Sequence, residues 1–224
     1  MRPRQRSLVG RDQAVSAFSA VLLKLCDGTG VVGAALVDRE GETVDYAGAL
    51  DPFEIKVAAA EWRLVLRVVA ESRIFDWAET TEMVVRAART SFVAVTLDLG
   101  YALVAQLPRH SFTISQRALV ECVRDIGKEA GFEMPPGLEM EGRWSRVDVR
   151  TSASDRRRPL AVWLSGGWCA IEILGRYPRA ELGRGERGYR ARLANGAEVT
   201  LVRERLGRWY AEDMPSGGLG TAEL

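Results

Sequence analysis

From Phe53 to Asp76 the chain reads FEIKVAAAEWRLVLRVVAESRIFD, and its apolar positions fall into two rows. Ile55, Ala58, Ala59, Trp62, Leu66 and Val69 recur at spacings of three and four, which stacks them on one face of a helix. A second row follows Val57, Ala60, Leu64 and Val68. A helix that covers a single sheet needs one stripe, so two rows predict burial on two sides, the second against another copy of the chain. The expected dimer contact runs through Val57, Trp62, Leu64, Leu66 and Val68. Between the rows a narrow polar strip remains, in which Lys56, Arg63 and Arg67 are candidates for contact with a partner protein.

Around this helix the pattern alternates between the two periods. Asp12 to Asp27 carries Val15, Phe18, Val21, Leu22 and Leu25 on one helical face, with Gly28 placed to stop it. Val31 to Val37 is too short and too apolar for an independent helix and suits a central strand. Glu42 to Ala47 follows across Asp38-Arg39-Glu40-Gly41, so the two runs are expected to form a hairpin. Asp51 is placed to cap the long helix and Pro52 suits its first turn. Thr81 to Ala87, Phe92 to Asp98 and Tyr101 to Leu107 read as three further strands, and Thr113 to Ala130 as a closing helix. The expectation for residues 1–132 is an α+β layer: a five-stranded antiparallel sheet with helices on its faces.

Composition shifts after Phe132. Met134-Pro135-Pro136-Gly137 cannot continue a helix, and residues 133–158 read as a polar linker. From Pro159 the runs shorten: Leu160 to Leu164, Trp168 to Leu174, Tyr189 to Leu193, Ala197 to Arg203 and Arg208 to Ala211. Gly166-Gly167 and Asn195-Gly196 are hairpin-turn pairs. Five short strands over residues 159–214 predict a small all-β SH3-like or Tudor-like barrel. Its aromatic residues, Trp163, Trp168, Tyr177, Tyr189, Trp209 and Tyr210, either fill a small core or form a binding surface. Residues 215–224 read as a disordered tail.

Charge and chemistry narrow the function. Thirty-one basic residues against thirty acidic ones give a net charge of +1, so no global attraction to nucleic acid is built in. No run approaches the roughly 20 apolar residues of a membrane span, and Arg11 and Asp12 interrupt the segment after the basic start MRPRQRS before a signal-peptide core accumulates. Cys26, Cys122 and Cys169 are far apart and set among apolar residues, which suits reduced core cysteines of a cytoplasmic protein. Gly183, Gly185 and Gly188 spell GxGxxG, but Tyr177-Pro178 precedes them and a strand follows, where a dinucleotide turn needs a helix. No phosphate loop of the GxxxxGK[ST] type occurs, and His110 reads as a loop residue. Arg156-Arg157-Arg158, behind Asp155 and without interleaved aromatics, reads as a solvated loop. No catalytic residue, cofactor site or metal site is expected.

The order helix, strand, strand, helix, strand, strand, strand, helix, with VVGAALVDREGETV before the long helix and FVAVTLDLGYALVAQL before the last, resembles the Roadblock/LC7 family over residues 1–132. That resemblance implies a homodimer in which Phe53 to Asp76 and the strand Thr81 to Ala87 meet their symmetry mates. The family holds regulators of small GTPases, including bacterial proteins that dimerise and bind a Ras-like polarity GTPase, as well as scaffold and dynein subunits. It implies a non-enzymatic homodimeric regulator or scaffold that binds a small Ras-like GTPase. The alternative is a structural adaptor that recruits another protein through the aromatic barrel, with no GTPase involved.

Overall fold

The computed structural model describes residues 11–72, 80–87, 89–138, 144–164, 166–178, 182 and 185–212. The chain divides into two compact units: residues 1–109 with 118–139, and residues 110–117 with 140–224.

The first unit runs α1 (Ala17–Thr29), β1 (Gly33–Val37), β2 (Thr43–Gly48), α2 (Pro52–Glu71), β3 (Glu82–Arg86), β4 (Ser91–Thr96), β5 (Ala102–Leu107) and α3 (Gln116–Ala130). Its five strands form one antiparallel sheet in the order β2-β1-β5-β4-β3, which is the α+β layer expected from the sequence. Strand alternation divides the buried residues between the two faces. Under α2 lie Ala35, Val37, Tyr46, Ala94, Ala102 and Val104, and Ile55, Ala59 and Leu66 of the helix pack onto them. The intervening positions Ala34, Leu36, Val93, Val95, Leu103 and Ala105 are buried on the opposite face, as are Leu22, Leu25 and Cys26 of α1 and Leu119, Cys122, Val123 and Ile126 of α3. Lys24 of α1 ties these two helices at their outer edge through Glu121 and Asp125, at 2.7 and 3.1 Å.

α1 starts five residues later than the pattern suggests. Ser16 takes the N-cap, accepting from the backbone of Phe18 and Ser19, and residues 11–14 instead wrap Asp45 and Tyr46. Gly28 is inside the helix, and Gly30, at φ 76°, ends it, because a left-handed C-cap suits a residue without Cβ. α2 has the expected Asp51 cap and Pro52 in its first turn, and ends at Glu71. The expected stretch 73–76 lies outside the described residues.

The second unit holds seven antiparallel strands: β6 (Trp144–Val147), β7 (Val149–Thr151), β8 (Pro159–Leu164), β9 (Gly167–Arg176), β10 (Arg187–Leu193), β11 (Glu198–Arg203) and β12 (Trp209–Glu212). They form a nearly closed, barrel-like sheet in the order β6-β12-β11-β10-β9-β8-β7. Five of these are the expected strands. The other two, β6 and β7, correct the reading of 133–158 as linker throughout. Their inward residues, Ser145, Val147 and Val149, alternate with outward Arg146, Asp148 and Arg150, and runs of three or four residues with so much charge hide a strand period. The core gathers Val162, Ala191, Leu193, Val199, Leu201, Trp209 and Ala211.

Residues 110–117, which follow β5 and include the first two residues of α3, belong to this second unit. Phe112 packs with Val202 and Tyr210, its ring 5.5 Å from Tyr210 and 5.1 Å from Trp144. Its backbone N–H donates to Glu204 at 2.8 Å, the Tyr210 hydroxyl donates to the Thr113 carbonyl at 3.0 Å, and the Arg146 N–H donates to Ser115 Oγ at 3.1 Å.

Candidate protein-interaction surfaces

The residues singled out on α2 separate into two groups. Leu66 is 3% exposed and belongs to the core of its own chain; Trp62 packs beside it, its ring 5.3 Å from Phe92. Trp62 is half-buried there. Val57, Leu64 and Val68 are 39%, 51% and 59% exposed and lie opposite the core row. Phe53, 74% exposed, extends the same row by one turn, and Val65 flanks it. Phe53 is the residue that pattern reading missed, although it stands four positions before Val57 and so shares its face. The outcome is an apolar helix stripe of about four turns that one sheet leaves uncovered.

The polar strip is less free than its sequence suggests. Lys56 donates to Asp12 at 2.7 Å and stands 5.3 Å over the Tyr46 ring. Lys56 and the Tyr46 hydroxyl together hold the Asp12 carboxyl below its ordinary value. Arg63 is half-buried beneath the β4–β5 turn, where a Cβ on Gly100 would stand 3.4 Å from its guanidinium, and its Nε has no hydrogen-bond acceptor among the described residues. Arg67 is exposed.

β3 stands at one end of the five-stranded sheet, an edge position. Such an edge is a template for pairing with another chain. Met83 faces the α2 side, packed against that core, whereas Val84 is exposed.

In the barrel the aromatics also separate. Trp209 and Tyr210 are buried, and Tyr189 and Tyr177 pack against the two core clusters. Trp163 and Trp168 instead face outward from opposed positions of β8 and β9, 42% and 38% exposed, with rings 5.5 Å apart in an edge-to-face arrangement. Of the GxGxxG glycines, Gly185 precedes β10 and Gly188 lies within it, and a strand rather than a helix follows; Gly183 lies outside the described residues. Gly188 is fixed by close approach, since a Cβ there would stand 2.6 Å from the Tyr177 carbonyl oxygen. His110 sits in a turn at φ 69° with its ring 3.3 Å from Arg205.

The chemistry of the remaining polar groups is structural. Cys26 and Cys122 are buried, and burial pushes the Cys122 thiol up to about 12, which removes the thiolate a nucleophile needs. Among the described residues, no three His, Cys, Asp or Glu side chains gather into a metal-binding group, and no helix is long and apolar enough to cross a membrane.

No protein-family model matches the chain, and no curated protein does. Among solved structures, the chain is similar to MglB of Myxococcus xanthus, at 13% identity and a TM-score of 0.45, over 53% of this chain and 98% of that one. It is also similar to the gliding protein MglB of Thermus thermophilus, at 18% identity and a TM-score of 0.36, over 50% of this chain and 90% of that one.

Proposed function

We propose that the chain is a non-enzymatic homodimeric regulator or scaffold that binds a small Ras-like GTPase. The observation that carries the dimer is the uncovered stripe Phe53, Val57, Leu64 and Val68 on α2. Leaving one such side chain in water forgoes roughly 1.5 to 3 kcal/mol. A second copy presenting the same stripe covers it by self-complementarity, as a two-fold interface requires. The edge strand β3 extends the contact.

The partner class rests on the resemblance of residues 1–132 to the Roadblock/LC7 family. Arg67, beside the stripe, supplies the basic contact, with Lys56 and Arg63 held behind it. Ordering the switch loops of the GTPase is the route to any effect on hydrolysis, because such loops exchange between ordered and disordered states.

Affinity capture with the full chain from its own cytoplasm tests the partner class. A Ras-like GTPase retained by the wild type and weakened by Arg67→Glu supports the reading. If no GTPase is retained in either nucleotide state, the adaptor alternative replaces it.

A further inference from the structure

We propose that the outer face of β7, β8 and β9 binds an extended acidic segment of a partner protein, with a carboxylate on Arg150 and an apolar side chain against the Trp163–Trp168 pair. This surface belongs to the second unit and does not depend on the GTPase reading.

The face is built by strand register. Trp163 and Trp168 are directly opposed, and one step along the same face Ala161 opposes Ala170, with Arg150 of β7 opposite Ala161. Rows of one face repeat about every 6.6 Å along a strand. Two large rings therefore stand beside two methyl groups, which makes a step with an aromatic wall and a shallow floor. Arg150 closes this hollow by laying its guanidinium 4.2 Å from the centre of the Trp168 ring. A guanidinium over a ring face keeps its N–H donors in its own plane, pointing sideways, where its fork can take a carboxylate. Arg150 has no carboxylate partner among the described residues. The neighbouring outward arginines, Arg190 and Arg192, are already paired with Glu198 at 3.0 and 3.2 Å.

The same charges choose between ligands. Aromatic rings beside a cation also suit single-stranded nucleic acid, but that ligand needs cations along its whole path. Here the outward residues on either side are the exposed carboxylates Asp148 and Glu172. Flanked by these carboxylates, Arg150 suits a single negative group better than a chain of phosphates, although the exposed Arg156, Arg157 and Arg158 stand in the turn between β7 and β8. An extended peptide with one acidic residue among apolar ones meets the hollow, the rings and the cation together.

A printed array of short peptides in many sequence frames, each carrying a central Glu, Gln or Lys among apolar residues, is probed with the full chain and beside it with labelled oligothymidylate. The expected result is capture by Glu peptides over their Lys versions by roughly tenfold, a loss of similar size in Trp168→Ala, and a reversed preference, Lys over Glu, in Arg150→Glu. Arg150 is exposed, so Arg150→Glu carries the test if Trp168→Ala alters the thermal melt. No capture, equal capture of the three versions, capture unchanged in both variants, or oligothymidylate binding that Trp168→Ala abolishes would each overturn the proposal.

Discussion

Asp45 is a buried carboxylate on β2 that holds Arg11, Ser16 and Ser19. It takes the Arg11 guanidinium and the Ser16 hydroxyl, the Ser19 hydroxyl at 2.6 Å and the Tyr46 N–H at 2.7 Å. Burial alone pushes its carboxyl up, but these donors outweigh burial and hold it below the ordinary value. A depressed folded value means that the stabilisation is complete above the unfolded value, about 3.9, and is lost as pH falls through the lower folded one. Asp45→Ala leaves the buried Arg11 guanidinium without its carboxylate, held only by backbone carbonyls, and is expected to cost about 3 kcal/mol in denaturant unfolding of the first unit. Glu204 has the opposite sign. It is fully buried, and burial raises its carboxyl despite the N–H from Phe112 and the nearby Arg208 and Tyr210. Its neutral form is the one the fold favours, so its contribution is complete below the unfolded value, about 4.3, and declines as pH rises through the folded one. Glu204→Gln keeps an acceptor for Phe112 and should flatten that decline; an unchanged pH profile of barrel melting would show that Glu204 does not cause it.

At the scale of elements, α2 is where sequence and structure can be compared residue by residue. The two rows of apolar positions were legible because helical spacing is enough to find them. Which row meets the sheet was not, since Trp62 and Leu66 differ from Leu64 and Val68 only in their register to a sheet assembled from distant strands. Leu66→Ala should therefore destabilise the monomer by about 2 to 5 kcal/mol, measured by chemical unfolding, whereas Leu64→Asp should leave that stability within about 0.5 kcal/mol once dimerisation is accounted for. Comparable losses would place both side chains in one core. Arg63 shows the limit of reading polarity as exposure: helical spacing puts it beside Arg67, but the β4–β5 turn covers it, and that turn lies more than thirty residues away along the chain. In the barrel the hairpins around Gly166 and Gly196 were legible from local turn chemistry. β6 and β7 were not, because their partners β12 and β8 decide their register and charge dominates their sequence.

At the scale of the whole molecule, the chain does not complete one unit before beginning the next. The segment 110–117 leaves β5, contributes Phe112 to the second unit and returns into α3. No local pattern announces this, since a lone phenylalanine between two elements of the first unit reads as part of their connection. Residues 159–214 alone lack β6, β7 and Phe112, so that piece should melt without cooperativity, whereas the full chain with Phe112→Ala should keep the barrel but lose about 3 to 5 kcal/mol of its stability. A cooperative β-sheet melt from 159–214 would show that the added strands are dispensable. Light scattering on the full chain at micromolar concentration, compared with a Leu64→Asp, Val68→Asp double variant, bears most directly on the proposed dimer. The wild type is expected at twice the 24.7 kDa chain mass and the variant at 24.7 kDa with an unchanged far-ultraviolet spectrum; a monomeric wild type, or a variant that stays dimeric, would contradict the assignment of the α2 stripe.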